Sequence, residues 1–179
     1  MNLMKIVSAE VKALLKQNGL PCPTSEVDFD VPKIDAYTQV QLTEDLQGIN
    51  DNVLYIIWTP EMPCKHEDAK AVIKSKDFCT SKINPSDHWC KNQKTGYYCL
   101  YVGDSEKNFE SRMQQHFSLC SQKGRTYSLW MQSWKKVPSP IFVTFFGFKS
   151  KKVLGEIKKV LWHYYKPLLG SRKPRCGKN

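Results

Sequence analysis

Apolar residues recur along this chain with two different periods, and these predict where its helices and strands lie. A spacing of three and four residues over about residues 3–17 and 151–165 predicts two amphipathic helices. The pair Asn18-Gly19 ends the first of them. Three short runs rich in aromatic and β-branched residues, at 53–58, 98–102 and 140–148, predict strands. The pattern therefore predicts an α+β fold with a small three-stranded antiparallel sheet flanked by helices.

The apolar residues that share a face set the orientation of each helix. The first helix is predicted to bury Ile6, Val7, Val11, Leu14 and Leu15. The last helix is predicted to bury Val153, Ile157, Val160, Leu161 and Tyr164. These stripes decide which polar residues of the two helices face the rest of the protein.

The chain is long enough, at 179 residues, to bury the core of one domain. Residues 1–51 are interpreted as the first helix followed by an irregular, acidic arm that wraps the domain. The domain itself then covers residues 52–170, and residues 171–179 form a basic tail. An insertion at residues 59–95 separates the first two strands and is far longer than a hairpin loop needs.

Charge is distributed unevenly along this chain, whose net charge is +10. Residues 1–60 carry four Lys and Arg against eight Asp and Glu, whereas residues 61–179 carry 23 against nine. Such a basic segment predicts a polyanionic partner, most simply nucleic acid, because neutralising phosphates releases counterions. The alternative is a solvated basic surface with no partner. The predicted phosphate-binding residues are Lys149, Lys151, Lys152, Lys166, Arg172 and Lys173.

No apolar run in the sequence approaches the length of a membrane span. The first helix carries Glu10 and three lysines, which is unlike a signal peptide. We therefore expect a cytoplasmic protein without membrane association. The seven cysteines are odd in number and irregularly spaced, so a disulfide framework is not favoured. The oligomeric state does not follow from the sequence.

Cysteine and histidine residues cluster in the insertion, in the order Cys-x-His, Cys, His-x-Cys. Four such residues are enough to hold a tetrahedral zinc ion. Their spacing is not that of the common zinc knuckles or ribbons, so free thiols and ordinary loop histidines are the favoured interpretation. The candidate zinc ligands are Cys64, His66, Cys79, His88 and Cys90.

The second predicted strand leads into the residues that carry the candidate chemistry. It is predicted to stop at Gly103, and a helix opened by one of the next two residues follows. Arg112 and His116 lie four residues apart, so both leave that helix on one face, near Tyr101. A guanidinium that clamps phosphate, beside a phenol and an imidazole that move protons, suits phosphate chemistry. The alternative is a buried tyrosine beside two surface residues.

The run Tyr101-Val102-Gly103, followed by Arg112 and His116, resembles the second half of the signature of the GIY-YIG nucleases. In this resemblance Tyr55 takes the place of the tyrosine in the first half, although Val53 stands where the signature has glycine. The resemblance covers about residues 52–170 and implies a GIY-YIG-like fold. It implies catalytic roles for Tyr55, Tyr101, Arg112 and His116, with Gly103 as a structural turn.

The resemblance also implies a divalent cation, held by a glutamate on the last helix. Counting from Leu161-Trp162 and Pro167 puts Lys158 at the position of that glutamate, and Gly170 at that of a later asparagine. Glu156 lies two residues earlier, about 200° around the helix. Two interpretations stay open: Glu156 is the ligand of Mg²⁺ or Mn²⁺ in a shifted register, or the metal site is absent.

The function that the resemblance implies is that of a metal-dependent endonuclease, a hydrolase that cleaves phosphodiester bonds in DNA. In that mechanism Tyr55 deprotonates the attacking water, and either His116 or the metal-bound environment helps to draw off the tyrosine's own proton. Arg112 and Tyr101 stabilise the pentavalent phosphate. The alternative is a nucleic-acid-binding module that has kept the fold and lost the metal. A secreted, disulfide-bonded nuclease is a third interpretation, which the first helix does not support.

Overall fold

A computed structural model describes residues 3–31, 52–61, 90–106, 109–117, 129, 131 and 140–169 of the protein. This part of the chain contains a four-stranded antiparallel sheet and three α-helices, which confirms the α+β class. The helices are α1 (Leu3–Gln17), α2 (Phe109–Phe117) and α3 (Leu154–Tyr165), and a 3-10 turn at Lys151–Val153 precedes α3. The strands are β1 (Ser25–Val31), β2 (Val53–Thr59), β3 (Tyr98–Ser105) and β4 (Ile141–Gly147), in the order β1-β4-β2-β3.

The sheet has one strand more than the sequence predicted. β1 pairs antiparallel with β4, from Ser25 opposite Gly147 to Val31 opposite Ile141. It lies in the segment interpreted as an irregular arm, of which residues 32–51 are outside the described residues. Acidic and apolar residues alternate in β1 with the period of a strand. The interpretation as an irregular arm overlooked this period and was wrong for β1.

Each face of the sheet packs against its own core, and β2 contributes to both. Val53, Tyr55 and Ile57 join the core on the α2 face. The alternate residues of β2, together with apolar residues of α1 and α3, form the core on the other face. Every residue of β2 is buried, because the strand lies between β3 and β4 and has helices on both faces. Tyr55 is therefore held at the centre of the protein.

The two terminal helices were predicted with nearly correct bounds, but the orientation of α3 was not. Tyr164 is 36% exposed, whereas its neighbour Tyr165 is 2% exposed and packs edge-on against Trp58. The stripe that α3 buries consists of Leu154, Ile157, Leu161, Trp162 and Tyr165. It is shifted by about one residue, or about 100°, from the predicted stripe at several positions. This shift decides which polar residues of α3 face the sheet.

Buried polar groups tie α1 to α3. Glu10, in α1, accepts hydrogen bonds from Tyr164 Oη at 3.1 Å and from Tyr165 Oη at 3.3 Å. Its carboxylate also lies 3.3 Å from Lys94 Nζ, in the turn before β3. These partners compensate the burial of the carboxylate, which is 7% exposed.

No helix in the described part of the chain is long and apolar enough to cross a membrane.

β3 runs three residues further than predicted and does not end at Gly103. Gly103 pairs with Tyr55, and Ser105 pairs with Val53, so the glycine is a strand residue and not a turn. Accordingly, α2 begins at Phe109 and not one or two residues after the glycine. The outer edge of β3 is covered, because the backbone N–H groups of residues 168 and 169 donate to carbonyl oxygens of residues 99 and 100 at 2.9 Å.

Gly103 is required because the ring of Tyr55 lies directly on its backbone. A Cβ atom at Gly103 would overlap Cζ and Oη of Tyr55. The ring is fully buried and has no room to move aside. Because Gly103 has no side chain, the ring of Tyr55 can extend across β3 towards α2.

We expect Gly103→Ala to lower the free energy of unfolding by about 2 kcal/mol or more, because the new methyl group overlaps a buried ring. Urea denaturation of the two proteins measures this loss. The matched control repeats the substitution in a Tyr55→Ala background, where the ring is absent and the added cost should be much smaller. An equal cost in both backgrounds would show that the overlap is not the cause.

Candidate functional site

The structure brings together the four side chains that the sequence singled out. Tyr55 comes from β2, Tyr101 from β3, and Arg112 and His116 from successive turns of α2. His116 Nε2 lies 2.6 Å from Tyr55 Oη, and Arg112 Nε donates to the same oxygen at 3.4 Å. The ring centroid of Tyr101 lies 6.1 Å from that of Tyr55 and 5.1 Å from that of His116. We call these four residues the Tyr55 cluster.

The hydrogen bonds of His116 show which of its nitrogens carries the proton. The backbone N–H of Leu129 donates to His116 Nδ1 at 3.1 Å. Nδ1 is therefore an acceptor, and in a neutral imidazole the proton must then be on Nε2. We assign Nε2–H as the donor in the short bond to Tyr55 Oη.

The imidazole of His116 is held in its neutral form. Burial lowers the pKa of His116 well below its usual value, and the positive charges of Arg112 and Lys158 lower it further. A neutral imidazole with its proton on Nε2 donates to Tyr55 and does not accept a proton from it. The geometry therefore favours His116 as a hydrogen-bond donor to Tyr55, and not as the group that draws off the tyrosine's proton.

The phenol oxygen of Tyr55 receives two N–H donors, one from His116 and one from Arg112. Its own hydroxyl proton must therefore point in a third direction. Burial raises the pKa of Tyr55 above its usual value, and the charge of Arg112 opposes this rise. In the free protein at neutral pH the group is a phenol, and the two donors are already placed to stabilise a phenolate.

Arg112 is the most exposed member of the Tyr55 cluster. It is half-buried, whereas Tyr55, Tyr101 and His116 are buried. Burial by itself lowers the pKa of Arg112, but the oxygens of Tyr55 and Tyr101 raise it overall. Its Nη1 also donates to Gln115 Oε1 at 3.3 Å. An anion that approaches from solvent therefore meets the guanidinium before the phenols.

Glu156 does not join the Tyr55 cluster. Its side chain is 62% exposed, and its carboxylate lies 3.9 Å from Lys159 Nζ. It lines an open groove between α1 and α3, with Leu14 and His163. That groove belongs to the face of the sheet opposite to Tyr55. The buried stripe of α3 leaves Glu156 on the outer flank of the helix, away from Tyr55, and its role as a metal ligand stays a prediction.

Lys158, also in α3, contacts β3 near its end. Its Nζ lies 2.6 Å from Asp104 Oδ1, and the two side chains are 18% and 19% exposed. Asp104 directly follows Gly103, and its negative charge helps to raise the pKa of Tyr55. Within the described ranges, no three His, Cys, Asp or Glu side chains come together as a metal site. The donors around Tyr55 do not fit a divalent cation, because the nearby carboxylate is already paired with an ammonium group.

Three of the predicted phosphate-binding lysines lie at the same end of the sheet as Tyr55. β4 ends at Gly147, opposite Val53 at the start of β2. Just beyond this end, Asn52 Nδ2 donates to the carbonyl oxygen of Lys149 at 3.5 Å. Lys151 Nζ lies 3.6 Å from a carboxylate oxygen of Glu106, which follows β3. The exposed group Lys149, Lys151 and Lys152, here called the lysine patch, thus borders the site.

The remaining predicted residues are placed elsewhere. Lys166 is exposed at the end of α3, near the start of β3, and so lies at the opposite end of the sheet. Cys90 has a free, exposed thiol. The other predicted phosphate-binding and zinc-binding residues lie outside the described residues, namely Arg172, Lys173, Cys64, His66, Cys79 and His88.

Two contributions to the site were missed by sequence reasoning. The backbone N–H of Leu129 carries no signal in the sequence, because every residue except proline has this group. The ion pair of Lys158 with Asp104 had a signal, since counting along the last helix had already put Lys158 at the position expected for the metal ligand.

Comparisons of the chain with protein-family models, with curated proteins and with solved structures found no match.

We expect the protein to lose stability as the pH falls below about 6.5, because His116 is neutral when folded and binds a proton when unfolded. The stability that this group contributes is present above the pKa of the unfolded chain. Below that pKa it is lost at up to about 1.4 kcal/mol per pH unit. Urea denaturation over a series of pH values measures the loss.

His116→Gln is the matched control for this pH dependence. The amide can accept from Leu129 and donate to Tyr55, but it does not titrate. The difference in pH dependence between the two proteins isolates the histidine. Identical pH dependence in both would contradict the assignment of His116 as a buried neutral imidazole.

Proposed function

We propose that this protein is a phosphodiesterase that cleaves nucleic acid, DNA in the first instance, at the Tyr55 cluster. The observation that carries the proposal is the oxygen of Tyr55, held between His116 Nε2 and Arg112 Nε. This arrangement joins a group that can accept a proton to a guanidinium that can bind two phosphate oxygens. The same four residues carry the resemblance to the GIY-YIG nucleases, which supports this class of reaction.

The chemistry begins when the phenol of Tyr55 loses its proton to solvent. The oxygen of a water molecule then attacks phosphorus while one water proton passes to the phenolate. The bond from phosphorus to the leaving nucleoside oxygen breaks, and that oxygen takes up a proton from solvent. His116 and Arg112 stabilise the phenolate, and Arg112 with Tyr101 stabilises the negative charge on the pentavalent phosphate.

No step of this scheme passes through a divalent cation. The carboxylate that was expected to hold one, Glu156, lies on the far flank of α3, and Asp104 is paired with Lys158. Mg²⁺ or Mn²⁺ remains what the resemblance implies for a nuclease of this type. The residues described around Tyr55 do not offer either ion the carboxylate oxygens that it prefers.

The lysine patch supports nucleic acid as the substrate. It lies at the end of the sheet where Tyr55 crosses Gly103. Each bound phosphate releases counterions and adds to the affinity whatever the base sequence. The lysines can therefore hold phosphates that neighbour the scissile one.

A binding module without catalytic activity is the second candidate function. The complete burial of Tyr55 and His116 favours it, because a fully hydrogen-bonded internal network can serve the fold alone. Lys158, at the position that the resemblance assigns to a metal ligand, favours it as well. The two candidates differ in whether the oxygen of Tyr55 takes part in a reaction.

Tyr55→Phe removes that oxygen and keeps the ring, and Arg112→Ala removes the phosphate clamp. We expect each substitution to lower the rate of plasmid cleavage by about 100-fold or more while DNA binding changes little. Tyr55→Phe should also lower the free energy of unfolding by about 1–3 kcal/mol, because it leaves the buried Nε2–H of His116 without an acceptor. Tyr97→Phe is the control, because its ring packs against Phe142, in the core on the other face. A wild-type protein that binds DNA and RNA but cleaves neither would establish the binding module in place of the enzyme.

Neutralising the lysine patch should flatten the salt dependence of DNA binding. In a variant with Gln at positions 149, 151 and 152, the slope of log Kd against log salt should fall by about 0.9 for each phosphate that the protein no longer neutralises. Fluorescence anisotropy at several salt concentrations measures this slope. The control carries the same three charge changes at Lys5, Lys16 and Lys159, on the face of α1 and α3. Equal slopes in both variants would show that the lysine patch contributes no more to nucleic-acid binding than other surface lysines do.

A further inference from the structure

Lys158 is more deeply buried than a lysine on a helix surface normally is. α3 packs on the sheet through Leu154, Ile157 and Leu161, and Lys158 lies beside this stripe. Its side chain is 18% exposed and its ammonium group lies 2.6 Å from Asp104. A lysine is seldom buried to this degree without a partner that compensates its charge. The pair is therefore a fixed feature of the site's border and not a loose surface contact.

The pair lies where β3 ends, at the end of the sheet that is here called the rim, and Tyr55 crosses Gly103 next to it. Asp104 follows Gly103, on which the ring of Tyr55 rests, and is the last residue but one of β3. It pairs with Leu54, so its side chain leaves the strand on the α3 side. Both charges nevertheless act across the rim: Asp104 raises the pKa of Tyr55, and Lys158 lowers the pKa of His116.

An ammonium group at this rim can bind an oxygen of a phosphodiester. Lysine has three N–H donors, of which one is enough to hold the Asp104 oxygen. Arg112, half-buried on the α2 face, supplies the other cation. In the arrangement proposed below, a phosphate at this end of the sheet contacts Lys158 from the α3 face and Arg112 from the α2 face. The bound anion shares Lys158 with Asp104, so neither buried charge is left without its partner.

We propose that Lys158 binds the scissile phosphate and takes the place of a divalent cation, so that this site cleaves phosphodiesters without metal. The proposal rests on the phosphodiesterase function proposed above. Positive charge is what the pentavalent transition state requires, and a lysine supplies it as a point charge. The cation is covalently part of the protein, so chelating agents do not remove it.

Plasmid cleavage in EDTA, compared with cleavage in Mg²⁺, is the first test. We expect the wild type to cleave at similar rates in both, and Lys158→Gln to be slower by about 100-fold in both. Lys159→Gln, one residue along on the exposed flank, should cleave like the wild type. Lys158→Arg keeps the cation and should retain most of the activity, which also controls for a folding defect in the Gln variant.

Asp104→Asn separates phosphate binding from a positioning role of the ion pair. It removes the charge of the partner and keeps Lys158, so cleavage should stay within about tenfold of the wild type if the ammonium group binds phosphate. Loss of activity as severe as in Lys158→Gln would overturn the proposal, because the pair itself would then be what matters.

Lys158→Glu gives a readout that does not depend on activity. It places a second carboxylate beside Asp104, and two carboxylates suit Mn²⁺ or Mg²⁺. Titration calorimetry with Mn²⁺ should show a site in this variant and none in the wild type. Equal Mn²⁺ binding by both proteins would overturn the proposal.

The two proposals fail in different ways. Wild-type cleavage that stops in EDTA and returns with Mg²⁺ would overturn the role of Lys158 and leave the phosphodiesterase standing. Absence of cleavage in EDTA, Mg²⁺ and Mn²⁺ alike would overturn the phosphodiesterase, and the role of Lys158 with it.

Discussion

The contact between the ring of Tyr55 and the backbone of Gly103 is the constraint on which the site depends. β2 is buried on both faces, so a tyrosine in it can reach polar partners only by crossing a neighbouring strand. Gly103 provides that crossing, since any side chain there would overlap the ring. β3 therefore continues straight through the glycine, and the oxygen of Tyr55 emerges against His116 and Arg112. The strand register and the chemistry are consequences of the same contact.

Burial makes the polar partners of Tyr55 obligatory. A buried hydroxyl left without a partner costs about 1–3 kcal/mol, so the fold alone would select a donor at the position of His116. The imidazole is in turn held by the backbone of Leu129, which fixes its tautomer. A donor that satisfies a phenol also stabilises a phenolate. In the proposed phosphodiesterase, the network that stabilises the core also prepares this oxygen for proton transfer.

The sequence predicted what depends on local pattern and missed what depends on small rotations and on the backbone. The spacing of Arg112 and His116 was enough to put both on one face of α2, and the apolar period was enough to place α1 and α3. β1 was missed because its acidic residues concealed a strand period. Glu156 was considered as a metal ligand only in a shifted register of the last helix, and the buried stripe of α3 was predicted about one residue, or about 100°, out of phase. In the structure Glu156 lies on the exposed flank of α3, and Lys158 lies beside Asp104.

In the proposed phosphodiesterase, Lys158 stands where the resemblance implies a carboxylate, and this changes the chemistry that the site can supply. One divalent cation held by one carboxylate has a net charge of +1, whereas the ammonium group of Lys158 and the carboxylate of Asp104 sum to zero. Lys158 therefore holds a phosphate through its remaining N–H donors more than through net charge, and it also differs from a metal ion in the chemistry that it supplies. A metal ion also acidifies a bound water, whereas an ammonium group does not. The work of activating water then falls entirely on Tyr55, whose pKa is raised by burial. The proposed phosphodiesterase therefore depends on the two N–H donors at the phenol oxygen more than a nuclease that holds a metal does.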